Sequence, residues 1–531
     1  MRRPVRVRHI PPSAGTLLVL LAALAVAVAG CGEPSDADRA DALLSRAVSA
    51  HGRERVEATE AVLDLAERLA DAGDAETAER IYRVLWKASD TPDRRHVRCA
   101  AIRGLARLLG PAAVEDLVSA MSGEDRQVAA AAFAASACAG GEDVTRAWAE
   151  YLPSAPRDVR PQVIRIMGRR GGPDAEAAVL AALESEDDAV RRAAIEAAAH
   201  LATPRAVGPL VHLLDAEEPD ARAAAEAALA RLSAPGVSAA VAERLPAAAP
   251  AVRVRLIRVL AARAARDRAD AVAACLPGAP AEVQAAALEA LAVLGGAPHV
   301  AAVLESLLVA EADAVRRSAE GALAAIGPRA EADRFVSQVV DAAEKAGPDA
   351  RCALVRVLGE VPTGRGLAAV RQAMRADEAA VGEAAIRVAS AWPTAAPAPD
   401  LLAVAHEAES AKHRILALRG AVGLAGRMDE EAARVEMLDR ALAAAERVEE
   451  RRLALAALAD VPVLEALPIA LKWMAQTPLR DEAAAAVVAV AEGIAADHPA
   501  DARAALEAVL EATEAPRLRE RAERLLERLG G

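Results

Sequence analysis

The chain has 531 residues, 54% hydrophobic but only 2% aromatic, and a formal charge of −13. So acidic a surface is a poor partner for a phosphate backbone, which excludes nucleic-acid binding as a first reading. With four Trp, two Tyr and two Phe, any core must be built from Ala, Leu and Val, and few large anchors remain for an interface.

The N-terminus reads as an address rather than as fold. Arg2, Arg3, Arg6 and Arg8 precede an apolar run from Thr16 to Ala29. That run is short for a membrane span and right for the hydrophobic region of a signal peptide, which predicts a signal peptide over 1–30. It ends Val28-Ala29-Gly30-Cys31, which resembles the bacterial lipobox, small residues before a cysteine that is lipidated after cleavage. The resemblance implies acyl chains on Cys31 and a protein anchored outside the cytoplasm without spanning the membrane. Gly32, rather than Asp, leans towards the outer membrane where there is one. Cleavage removes four Arg and no acids, and takes the formal charge from −13 to −17.

Residues 31–39 are expected to be a lipid-anchored tether. From 40 to 92 the run Leu65-Ala66-Glu67-Arg68-Leu69, then Gly73-Asp74, Ala78, Tyr82 and Leu85, resembles one tetratricopeptide-type hairpin. Pro92 stands two residues late for that pattern, and the segment is expected to act as an N-terminal cap.

A beat then begins. Val97, Val128, Val159, Val190, Ala221, Val252 and Val283 follow one another at a spacing of 31 residues. Val315 follows 32 residues later and Ala350 35 later, Val381 and Lys412 return to 31, and looser copies lie near Glu450, Leu479 and Leu518. Periods of this length mean stacked repeats. In Asp188–Thr203, Val190, Ala194, Ile195, Ala198 and Leu201 share one helix stripe, and Asp188 stands where an N-cap belongs. A second apolar helix fills each interval, as with Val207, Leu210, Val211 and Leu214. Gly-Pro pairs such as Gly110-Pro111 and Gly172-Pro173 punctuate the repeats, and a short acidic turn joins the two helices of each.

These features, with the run Asp313-Ala314-Val315-Arg316 leading to Ala319 and Ala325-Ile326-Gly327, resemble the HEAT repeats, in particular the short bacterial form named after phycobilisome lyases. The expected fold is all-α: an α-α superhelix, a HEAT-like solenoid of helical hairpins. Regular repeats are expected over 93–426, and looser repeats with a charged C-terminal cap over 427–531.

Two rows of arginine follow the beat. One residue after the marker stand Arg98, Arg160, Arg191, Arg222, Arg253, Arg316 and Arg351. The resemblance implies that this arginine bonds the turn acid of a neighbouring repeat, here Asp158, Asp188, Asp220, Asp313 and Asp349, as a structural ladder. Six after the marker stand Arg103, Arg165, Arg258, Arg356 and Arg387, interrupted by Glu196 and Glu289. The resemblance puts this helix on a concave surface, where a basic strip would collect an acidic partner; a solvated mixed-charge face is the plainer alternative.

The remaining chemistry is sparse. Cys99, Cys138, Cys275 and Cys352 show no metal or disulfide spacing and read as buried thiols. His406-Glu407 is a lone pair, and His200 and His212 lack a third ligand. No metal and no cofactor is expected. The sequence therefore reads as a lipid-anchored, non-catalytic scaffold that binds protein partners and meets the membrane through Cys31. A lyase or enzyme-accessory protein is the alternative that the resemblance allows.

Overall fold

The computed structural model describes residues 35–530, all helix, turn and loop. The lipobox residues Val28, Ala29, Gly30 and Cys31 lie outside them. The chain divides into two compact units, with the boundary between Pro235 and Gly236. That boundary falls inside the stretch expected to be regular, in the loop joining the helices Pro219–Arg231 and Val237–Ala242.

The first unit opens earlier than the tether predicts. Ser35 caps a helix Asp36–Ser49, its side chain accepting from the Asp38 amide, so Asp36 to Arg39 form helix rather than linker. The cap is three helices, with Gly52–Ala72 and Ala75–Ala88 completing it. Gly73 ends the long helix in the left-handed conformation at φ 90°, where an L side chain is disfavoured. From Ala75 onward, the last helix of the cap included, the fold is a file of hairpins. We call the first helix of each hairpin A and the second B.

The hairpin of helices Pro173–Leu183 and Asp188–Ala198 shows how one forms. Pro173 opens helix A, where its missing N–H costs nothing. The N-cap of helix B is Asp187, not Asp188: its carboxylate accepts from the Ala189 and Val190 amides. Asp188, one step further on, is left free to reach Arg191. The expected stripe of Val190, Ala194, Ile195, Ala198 and Leu201 is buried throughout. Ala193 and Ala197 are buried as well, because helix B packs both on its own helix A and on neighbouring B helices. Every marker from Val97 to Val381 is buried, whereas Lys412 is exposed.

Small residues set the spacing of the B layer. A Cβ on Gly168, in the B helix Arg160–Arg170, would stand 2.5 Å from the Ala197 Cβ of the next B helix. An Ala and Gly seam of this kind lets backbones approach more closely than Leu or Phe would allow.

The second unit repeats the scheme, with the B helix Ala281–Leu294 packed on Asp313–Ile326. Pro393–Pro399 is an ordinary turn leading into helix Ala398–Glu407, with Trp392 buried beside it. In the looser stretch the slot near Glu450 holds a buried carboxylate, which the Arg419 guanidinium reaches at 2.9 Å. The unit ends on helix Pro516–Gly530, which buries Ala522 and Leu525 and leaves its glutamates, and its arginines other than the half-buried Arg519, exposed.

Candidate partner-binding surface

The arginines of the first row stand in the first turn of their B helices. Side chains on a helix lean towards its N-terminus, so these guanidinium groups fall back on their own turn. There they meet the carbonyls of the A–B turn, just past the end of helix A, which no helix ladder satisfies. Arg191 donates to Ser185 O at 2.8 Å and meets Asp188. Arg222 donates to Ala216 O and Glu217 O, both at 2.7 Å. Arg160 donates to Ala155 O and Pro153 O, and Arg253 to Leu245 O, Pro246 O and Ala248 O. Reach to a neighbouring repeat is the exception. Arg316, which donates to Ala310 O and pairs with Asp313 in its own repeat, lies 3.7 Å from Asp349 in the next. Arg351 donates to Ala343 O and Ala346 O and also meets Glu378, one repeat on. Among the described residues neither Asp158 nor Asp220 stands within ion-pair distance of an arginine. The row is therefore chiefly a staple within each hairpin.

Lateral pairing falls instead to the second row. Arg165 meets Glu196 at 2.7 Å, the same position one repeat on. Arg356 holds Glu320, in the preceding B helix, with two bonds of 2.6 and 2.7 Å. That bidentate pair pushes the Arg356 guanidinium above its ordinary value. Arg387 turns onto Glu383 of its own helix, and Lys412 of the following hairpin reaches the same carboxylate at 2.6 Å. Hydrogen bonds from these two cations, Lys412 foremost, hold Glu383 below the usual carboxylate range. Arg103 and Arg258 are exposed, and among the described residues no ion pair joins them. The B face is thus mostly a neutralised charge ladder rather than a continuous basic strip.

Open space lies along a third surface, the edge formed by the A–B turns, which the sequence reading does not single out. Among the described residues of the first unit, at least three grooves occur there. One, of about 370 Å³, lies between the turn Ser89–Pro92 and the turn Gly123–Asp125. Its wall carries the Arg98 guanidinium 4.3 Å above the Trp86 ring, and the Arg95–Asp125 pair at 2.5 Å. The Arg95 hydrogen bond holds Asp125 below the usual carboxylate range. Ser89, buried beside it, has a hydroxyl without a hydrogen-bond partner. The other two grooves, of about 610 and 780 Å³, follow one another and share Ser185. The acidic turns were visible in the sequence; the gaps between turns were not, because they depend on how far apart successive A helices stand.

Cys275 and Cys352 are buried, which pushes both thiols up, while Cys99 is half-buried and Cys138 exposed. His200 and His212 are both exposed. Among the described residues no helix is long and apolar enough to cross a membrane.

The family model of HEAT repeats matches residues 145–230, the part of the first unit that contains the two adjoining grooves. No curated protein matches the chain in sequence. Among solved structures, Kap121p is similar at 14% identity and a TM-score of 0.43, over 93% of this chain and 57% of that one. This chain therefore spans little more than half of Kap121p. A homology model of the full-length AP-3 complex is similar at 10% identity and a TM-score of 0.48, over 98% of this chain and 100% of its counterpart.

Proposed function

We propose that this chain is a lipid-anchored scaffold of the bacterial cell envelope, held by acyl chains on Cys31 and binding protein partners along its helical repeats. The observation that carries the reading is how the array disposes of its surface. The apolar stripe of each repeat is consumed in stacking, since every marker from Val97 to Val381 is buried. What remains outside is charged and grooved, a surface suited to reversible recognition rather than to further folding. The anchor reading rests on Val28-Ala29-Gly30-Cys31, and the first described helix is capped by Ser35, four residues beyond that cysteine. At most about 3.5 Å of chain per residue then separates the first helix from a lipid on Cys31, which keeps the N-terminal cap at the membrane.

Metabolic labelling with a fatty acid tests the anchor: label in the wild type and none in Cys31→Ser supports it, and equal labelling removes it. Crosslinking in native envelopes tests the scaffold. A discrete protein partner is expected, and crosslinks to lipid or to nothing would reduce the chain to a spacer.

A further inference from the structure

We infer that the turn edge of the first unit, between Leu152 and Glu218, is a docking groove for a polyproline-II segment of a partner protein carrying a basic residue at every third position. The inference rests on the reading that the repeats take protein partners, and it assigns a surface and a partner chemistry to that reading.

Continuity comes first. The grooves of about 610 and 780 Å³ share Ser185 in their walls, and together they pass three successive A–B turns. Their floor is small and apolar, with Ala178, Ala181, Pro209 and Ala216 at least partly exposed. Residues so short leave room for a polypeptide backbone to lie close.

Charge comes second. Glu184, Glu186, Glu217 and Glu218 stand exposed on the walls, and among the described residues no ion pair joins any of them. The cations on the same walls are committed: Arg160 and Arg191 are bound to carbonyl groups of their own turns. The groove therefore presents uncompensated carboxylates to whatever enters, and a cationic segment is the complement.

Spacing and backbone chemistry point to one conformation. The two pairs of glutamates belong to consecutive repeats, and packed helices stand about 8–10 Å apart. A polyproline-II chain returns to the same face every third residue, after about 9.3 Å, so basic residues three apart meet successive turns. An added β-strand would need a row of free backbone groups, but here the turn carbonyls are occupied by Arg160, Arg191 and Arg222. Polyproline II needs no such partners.

Fluorescence anisotropy tests this with the full chain in detergent micelles and a labelled peptide of repeated Pro-Ala-Lys. The comparison peptide has the same composition with its lysines contiguous. The groove variant replaces Glu184, Glu186, Glu217 and Glu218 by Gln. A control of equal charge replaces the exposed Glu282, Glu305, Glu344 and Glu436 of the second unit by Gln. At physiological ionic strength, about tenfold weaker binding is expected in the groove variant and near-wild-type binding in the control. The contiguous peptide should bind several-fold more weakly than the spaced one. If the quadruple variant melts lower than wild type, Glu186→Gln and Glu217→Gln singly carry the measurement. Absence of binding, equal loss in groove and control variants, or equal affinity for both peptides overturns the groove. A protein partner crosslinked at other surfaces would then leave the scaffold reading standing without it.

Discussion

A guanidinium in the first turn of helix B can do what an amide of the same helix cannot: it reaches back over the A–B turn and binds the carbonyls of that turn. Arg191 does this with Ser185 O, and its side chain is 20% exposed, so the bond is only partly screened by water. Replacing Arg191 by Ala should cost about 1–2 kcal/mol, the range for a charge-assisted hydrogen bond lost at a half-buried site. Lys at this position should recover only part, since one ammonium does not reproduce the forked contact with Ser185 O and Asp188. By contrast, Asp158→Asn and Asp220→Asn should leave the melting temperature within the scatter of a neutral surface change, because neither acid holds an arginine. If those two variants melt as low as Arg191→Ala, the staple is really a ladder between repeats. The sequence made the recurrence of this arginine plain, and so its structural weight. It could not reveal the partner, because a turn acid and a turn carbonyl lie within reach of the same side chain and only the lean of the helix decides between them.

At the scale of a helix, the B layer depends on where small residues fall. Gly168→Ala brings a Cβ to 2.5 Å from the Ala197 Cβ and 2.6 Å from its Cα, and the backbone of the facing helix has little room to yield. Overpacking of this kind should destabilise by about 1–3 kcal/mol. Gly321→Ala, on the B helix Asp313–Ile326, meets nothing within 4 Å and should stabilise by up to about 1 kcal/mol through helix propensity. Thermal melts of the pair should therefore move in opposite directions; movement in the same direction would refute the seam. Pairing between helices adds a pH signature. Glu383, held by Lys412 and Arg387, and Glu492, held by Arg521 and Arg528, both lie below the ordinary glutamate value of 4.5. A carboxylate with a lowered folded pKa binds fewer protons than its unfolded counterpart, so its contribution is complete above 4.5 and is lost as pH falls below it. Melting temperature should drop on acidification through that range, and Glu383→Gln combined with Glu492→Gln should flatten the drop. An unchanged acid slope in the double variant would show that other carboxylates carry it.

Across the whole chain, the period told nearly everything about the fold, because one stripe that cannot be buried alone demands a neighbour of the same kind. What it hid were the places where the beat changes meaning. Asp36–Arg39 look polar enough for a tether, yet Ser35 caps them into helix. Lys412 keeps the count but is exposed, and the Glu450 slot takes a buried acid where the pattern asks for an aliphatic residue. Surfaces were less legible than elements, since a groove belongs to two repeats at once and no single repeat encodes it. An array held by nearest-neighbour contacts also predicts how it should fail. Helix Pro516–Gly530 packs on the helices Pro499–Ala512 and Arg480–Ile494, where Leu506, Val509 and Val487 are wholly buried. Ending the chain at Ala515 uncovers part of that apolar surface without touching the first unit. Amide hydrogen exchange should then quicken over Pro499–Ala512 and fade towards wild-type protection within a few repeats, with Arg95–Leu109 unaffected. Wild-type protection throughout would mean that the last helix is dispensable. Uniform loss along the entire chain would mean that it folds as a single cooperative body, and the account of stability as a sum of neighbouring contacts would have to be abandoned.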